Sequence, residues 1–157
     1  MIPVRFAAVP TESSSPVADR LRNAGMRVTS TRLAVYEELH GHGHLDADAV
    51  AAKVADRLGG VSRQTVYDAL AILCQIGLVR RIEPAGSPAA LYETRVADNH
   101  HHIVCRGCGS VTDVDCVTRA APCLDASDTH GFVVDEAEVT FWGLCPECQE
   151  PRPGATA

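Results

Sequence analysis

The chain of 157 residues contains no apolar run approaching the ~20 residues that cross a bilayer, which excludes a helical membrane protein. Pro3 and Arg5 interrupt the apolar start before a signal-like core forms, so the expected location is intracellular, in the cytoplasm. Net positive charge is missing as well: 14 Lys and Arg stand against 20 Asp and Glu. There is no HExxH zinc-enzyme motif and no deaminase pattern, which argues against an enzyme and against a small organic substrate. No internal repeat occurs beyond two short cysteine knuckles.

The acidic balance is unevenly spread. Residues 1–95 carry 11 Lys/Arg against 10 Asp/Glu, whereas residues 96–157 carry 3 against 10. Acid concentrated in one half suits a cation there and leaves the other half open to nucleic acid. Seven cysteines are many for an intracellular chain. At short paired spacing they point to metal or redox chemistry rather than to a disulfide scaffold.

Apolar periodicity predicts four helices in the first half. Val17–Ala24 is short and closed by Gly25. A second is capped by Thr29, carries Leu33, Val35, Tyr36 and Leu39, and is broken by the His40–His44 run. A third opens at Asp46 or Asp48, with Val50, Val54 and Leu58 at spacing four, and closes at Gly59 and Gly60. The fourth is capped by Ser62, with Val66, Leu70, Leu73 and Ile76 on one side, and stops at Gly77. Two extended runs follow, Leu78–Glu83 and Ala90–Arg95, around a turn holding Pro84, Gly86, Ser87 and Pro88. Helices followed by a hairpin predict a winged helix-turn-helix. Beyond Val96, His100–Cys105, Val111–Asp115, Phe132–Asp135 and Val139–Trp142 read as strands, with a weak helix over Thr118–Ala126. The fold class is therefore α+β.

Cys105-Arg106-Gly107-Cys108 and Cys145-Pro146-Glu147-Cys148 are CxxC pairs about forty residues apart. Two residues between thiolates let both sulfurs face one ion from a tight turn. Two such turns complete a tetrahedral sulfur shell suited to structural Zn²⁺. Gly107 and Gly109 help the first turn bend. A lobe of about sixty residues has little core, and a structural metal commonly supplies the missing stability. A redox CxxC or buried unligated thiols are the competing readings.

Just ahead of the first knuckle stand Asp98, Asn99, His100, His101 and His102. In an extended segment His100 and His102 share a face and His101 points the other way. Glu93, Asp98, Asp113 and Asp115 lie nearby as oxygen donors, and His44 is a further candidate. Such a nitrogen and oxygen shell suits Fe²⁺, Mn²⁺, Ni²⁺ or Zn²⁺. His130 lacks such neighbours. Cys116 and Cys123 are either a supplementary thiol pair or small buried residues, the second favoured, and Cys74 is packing.

The segments Gly25–Leu33 and Val61–Asp68, the His100–His102 run and both knuckles resemble the ferric uptake regulator family over roughly Val17 to Cys148. The stretches Asp98–Cys105, Asp113–Cys116, Ala121–Leu124 and Trp142–Cys145 are similar to its actinobacterial type, which is associated with repression of a neighbouring catalase-peroxidase gene. The resemblance implies a homodimeric, metal-dependent repressor of operator DNA with no membrane partner. Its structural zinc falls on Cys105, Cys108, Cys145 and Cys148. Its regulatory site, for Fe²⁺ or Mn²⁺, falls on His44, Glu93, His100, His102 and Asp113, with His101, Cys116 and Cys123 as additional metal or redox candidates. Asp113 matches the family's peroxide-sensing members, where bound iron promotes oxidation of a ligand histidine, and Glu93 matches its iron-uptake members. A further site of some relatives is absent or rebuilt, because Asn99, His101 and Ala137 stand at its positions.

On this basis the fourth helix enters the major groove with Arg63, Gln64, Thr65 and Tyr67, while Arg27 and Arg32, and Arg80 or Arg81 from the wing, grip phosphates. The expected organisation is a tail over 1–15, a winged-helix DNA-binding domain over 16–95 and a hinge over 96–99. A small α/β dimerisation domain with the four-cysteine zinc site spans 100–150, before a tail over 151–157. The alternatives are a sensor of Zn, Mn or Ni, and a thiol-redox regulator that loses zinc on oxidation.

Overall fold

The computed structural model describes residues 15–84, 89–96, 98–117, 124–134 and 137–150. Four helices come first: α1 (Pro16–Asn23), α2 (Ser30–His42), α3 (Ala47–Leu58) and α4 (Arg63–Gln75). Each of the last three starts on a side-chain cap. Thr29 accepts from the amide of Arg32, Asp46 from Ala49 and Ser62 from Thr65, satisfying amides that the first helical turn leaves without partners. Asp46 rather than Asp48 is thus the cap of the third helix. The left-handed Gly59, at φ 72°, closes α3 as the sequence predicts.

The apolar stripes meet in one core. Leu21, Val35, Leu39, Val50, Val54, Val66, Leu70 and Leu73 are fully buried together, with Leu78 and Val79 sealing the exit from α4. Each such side chain is worth roughly 1.5–3 kcal/mol of burial. Arg20 of α1 also donates to the carbonyl of Gly77 at 3.1 Å, tying the first helix to the end of the fourth.

The His40–His44 run behaves differently from the expectation. Helix α2 continues through Gly41 to His42 and ends only at Gly43, whose φ is 72°. One glycine inside a helix costs about 1 kcal/mol, less than is needed to break it. The chain then forms β1 (Leu45–Asp46), a strand the sequence did not disclose. It pairs antiparallel with β3 (Leu91–Glu93), which also pairs with β2 (Arg80–Ile82). The wing is therefore three-stranded, in the order β1-β3-β2. Most of the turn joining β2 to β3 lies outside the described residues.

A second sheet has the order β5-β4-β6, from β4 (His100–Cys105), β5 (Val111–Asp115) and β6 (Thr140–Gly143). β4 is central, antiparallel to β5 and parallel to β6. A short α5 (Pro146–Gln149) follows. Two expectations need correcting here. Phe132–Val134 is not a strand: it leaves a turn at His130 and Gly131 and pairs with no described strand, with Phe132 and Val133 exposed. Leu124–Ala126 is not helical, and the rest of that weak helix, 118–123, lies outside the described residues. No described helix is long and apolar enough to cross a membrane.

Candidate metal centres

The sheet brings the two knuckles together. Parallel pairing aligns Cys105 at the end of β4 with Gly143 at the end of β6, so Cys145 emerges beside Cys105. The first knuckle turns through Gly109, whose amide donates to the Cys105 carbonyl at 2.9 Å. The second opens α5, with Cys145 as its N-cap and Cys148 one turn on. The four sulfurs lie within 4.8 Å of one another. Gly107 is required by contact: a Cβ there would stand 2.8 Å from Cys148 Sγ and 2.9 Å from its Cβ.

The clamp is built for thiolates. Amides of Cys145 and Cys108 lead in pulling the Cys105 thiol down to about 6, and that of Gly107 adds to them. The Ser110 hydroxyl lowers Cys108 in the same way. Cys148 is pushed up to about 12, first by its contact with Cys145 and then by burial. Within one cluster, Cys105 and Cys108 are thus drawn toward the thiolate while Cys148 is held back from it. A tetrahedral Zn²⁺ fits this donor set.

The second cluster is assembled from both sheets. Leu45 pairs with Tyr92, so His44, one residue before, sits beside Glu93, one residue after. On β4 and β5, His102 pairs with Asp113 and His100 with Asp115, which puts the imidazoles and carboxylates on one face. His44 Nε2 lies 2.9 Å from both Glu93 Oε2 and Asp113 Oδ1. His102 Nε2 is 3.3 Å from Glu93 and 3.6 Å from Asp113. One ligand atom from each of His44, Glu93, His102 and Asp113 falls within 4.8 Å of the others. His100 stands at the margin of this group, with Nε2 3.3 Å from Glu93 and 3.9 Å from Asp113.

Hydrogen bonding accounts for only part of this packing: Glu93 Oε2 lies within hydrogen-bond reach of His44, His100 and His102. Glu93 Oε1 and Asp113 Oδ1 are buried without a hydrogen-bond partner despite imidazole nitrogens at 3.3 and 2.9 Å. Buried carboxylate oxygens left without a partner are costly, and a bound cation is one arrangement that would satisfy them. Burial works to raise Glu93, but bonds from His102 and His44 and the charge of His100 hold it well below the usual carboxylate range. The donor set, two or three imidazoles and two carboxylates, fits a divalent transition ion. Behind it, Asp98 Oδ1 lies 2.7 Å from His100 Nδ1 and leaves Nε2 facing the cluster.

Other candidates fall elsewhere. His101 is buried on the opposite face of β4, edge-on to Phe141 at 6.4 Å between ring centres, so alternation takes it away from the cluster. Cys116 is buried and belongs to neither described group, and Cys123 lies outside the described residues. Arg63, Gln64, Thr65 and Tyr67 lie exposed at the start of α4. Arg63 pairs with Asp48, which also accepts from Tyr67 at 2.9 Å, and Gln64 donates to Asp68. Arg27 is exposed and Arg32 half-buried, with the Arg32 guanidinium on the Arg27 carbonyl. Of the wing arginines, Arg81 is exposed and pairs with Glu83. Sequence reasoning missed β1, which delivers His44, and Arg95, which reaches Asp98, Asp113 and Asp115. A strand of two residues and a lone arginine carry no pattern to read.

Comparison with known proteins agrees with this architecture. The profile of the ferric uptake regulator family matches residues 23–142. Transcriptional regulator FurA of Mycobacterium tuberculosis is 56% identical over 131 residues, covering 83% of this chain and 88% of the relative. The peroxide-responsive repressor PerR of Staphylococcus epidermidis is more distant, at 30% over 137 residues, covering 83% and 86%. Among solved structures, the Helicobacter pylori ferric uptake regulator superposes with a TM-score of 0.68 at 20% identity, covering 83% of this chain and 87% of that one. That likeness is one of fold. With its profile spanning both sheets and a relative identical at more than half of the aligned positions, this chain belongs to the ferric uptake regulator family of metal-responsive transcriptional regulators.

Proposed function

We propose that the chain is an Fe²⁺-dependent repressor that binds operator DNA as a homodimer in the cytoplasm and is released by peroxide. The observation that carries the reading is the four-residue convergence, in which His44 and Glu93 come from the wing side and His102 and Asp113 from the second sheet. Ligands drawn from two sheets fix the angle between them when the site is filled, and a dimer must hold two reading heads at a fixed half-site spacing. The leverage equals the difference in metal affinity between the closed and open arrangements. On this reading residues 16–95 form the DNA-binding domain, 96–99 the hinge and 100–150 the dimerisation domain.

Arg63, Gln64, Thr65 and Tyr67 are the reading residues, with Arg27 and Arg32 on phosphates. Cys105, Cys108, Cys145 and Cys148 hold Zn²⁺ structurally, and His100 completes the regulatory shell. Dimerisation is supported by Ile103 and Phe141, paired partners on β4 and β6 that remain 40% and 49% exposed. His44, Glu93, His102 and Asp113 would hold the Fe²⁺, which would supply the one-electron chemistry with peroxide that Zn²⁺ lacks. Oxidation of His100 or His102 would then remove a nitrogen donor. Asp113 and the actinobacterial resemblance favour a peroxide-response target such as a catalase-peroxidase gene.

The test is operator binding titrated with Fe²⁺, Mn²⁺, Zn²⁺ and Ni²⁺, before and after peroxide, with zinc content measured alongside. The operator is selected by the protein from random duplexes. Fe²⁺ should confer tight binding that peroxide abolishes while zinc stays. A His102→Ala protein that keeps zinc and still tightens on the operator with Fe²⁺ as wild type does defeats the proposal.

A further inference from the structure

Arg95 lies between β3 and β4, two residues after Glu93 and three before Asp98. Its guanidinium contacts three carboxylates: Nε is 2.5 Å from Asp98 Oδ2, Nη2 is 2.5 Å from Asp115 Oδ1 and Nη1 is 3.7 Å from Asp113 Oδ2. Asp113 and Asp115 share a face of β5 because they are two residues apart, so one planar fork reaches both. Two of these carboxylates spend their other oxygen on the cluster. Asp98 Oδ1 sits 2.7 Å from His100 Nδ1, and Asp113 Oδ1 sits 2.9 Å from His44 Nε2.

We propose that Arg95 is a positioning residue for the regulatory metal site, bracing Asp98 behind His100 and Asp113 within the cluster from one guanidinium. The inference rests on the proposed regulatory site. Its chemistry is that of a second coordination shell. By holding Asp98 on Nδ1, Arg95 fixes the tautomer that presents the Nε2 lone pair. Its hold on Asp113 is an ion pair at 3.7 Å rather than a hydrogen bond, drawing Oδ2 toward the guanidinium and away from the cluster. A cation beside a cation site opposes metal binding electrostatically, so this placement favours affinity only through geometry. Charge and geometry therefore predict opposite signs for its removal.

The experiment uses the full chain with Zn²⁺ in the clamp, titrated with Mn²⁺. Wild type is compared with Arg95→Gln, Arg95→Lys and His44→Ala, with zinc content and melting as controls and the visible spectrum of Co²⁺ at the second site as a geometric readout. Arg95→Gln is expected to weaken Mn²⁺ binding by roughly tenfold and to alter the Co²⁺ spectrum. Arg95→Lys should do the same, because an ammonium keeps the charge but not the fork, and it carries the test should Arg95→Gln fail to fold. Mn²⁺ binding by Arg95→Gln as tight as wild type or tighter, or full rescue by Arg95→Lys, overturns the inference. A wild-type chain whose Mn²⁺ binding is indifferent to His44→Ala instead overturns the regulatory site itself.

Discussion

Substituting Gly107 by alanine tests the clamp at its tightest point. The added methyl would stand 2.8 Å from Cys148 Sγ and 3.4 Å from Leu144 Cδ2, where carbon contacts ordinarily sit at about 3.5–4.0 Å. Clearing the sulfur requires a shift of roughly 0.7 Å or more on that scale, whereas Zn–S distances tolerate only about 0.2 Å. Cys148 lies within α5, and its Cβ, 2.9 Å from the added methyl, moves only with that helix. If binding energy of about 10–16 kcal/mol is shared evenly among four ligands, weakening one sacrifices on the order of 3 kcal/mol, or about a hundredfold in affinity. Gly109→Ala is the contrast. Its φ of 77° makes a side chain cost about 1–2 kcal/mol of backbone strain, but no atom lies within 4 Å of its Cβ. Competition with a chromogenic chelator reads both. Gly107→Ala should surrender zinc at far lower chelator than wild type, and Gly109→Ala should fall close to wild type. Equal zinc retention by Gly107→Ala would refute the four-sulfur geometry.

Other outcomes follow from the same contacts. Leu73→Ala removes a fully buried side chain from the helical core and should cost about 2–5 kcal/mol in urea unfolding, with zinc content unchanged. His44→Ala should abolish the second metal equivalent, read by Mn²⁺ titration, while the clamp keeps its zinc. Arg63→Ala should weaken operator binding and reduce the slope of log affinity against log salt by about 1 if the arginine reaches a phosphate. In metal-free protein, Glu93 is held below its unfolded value, so its contribution to stability is present above about pH 4.3 and fades as pH falls through its lower folded value. Thermal melts of Glu93→Gln and wild type should therefore converge on acidification.

The legible parts of the fold were those with strong local signals. Thr29 and Ser62 marked helix starts because their hydroxyls meet specific amides, and the Val66, Leu70, Leu73 spacing marked the buried side of α4. Alternation placed His100 and His102 on one face and His101 on the other. What stayed hidden depends on tertiary pairing. β1 exists only because Leu45 and Asp46 find β3, and no local pattern announces two residues. Phe132 and Val133 read as a strand because they are apolar and β-prone, yet a strand needs a partner as well as a propensity. The spacing of the four clamp cysteines was recognisable, but the reason for Gly107 was not, because it lies in a side chain some forty residues away.

The cluster draws one carboxylate from each part of the chain, Glu93 from the near-neutral first part and Asp113 from the acidic second. Glu93 and Asp113 approach within 4.8 Å across the two sheets. At an effective dielectric near 20, two such charges repel by about 3.5 kcal/mol, partly relieved by imidazole protons and by Arg95. That is the size of a typical coupling energy between sites, about 1–3 kcal/mol. On the proposed reading, two carboxylates so placed would strain the closed arrangement without a cation and favour it with one. On the proposed function, these two carboxylates are what would make DNA binding conditional on metal, with no device needed beyond where they stand.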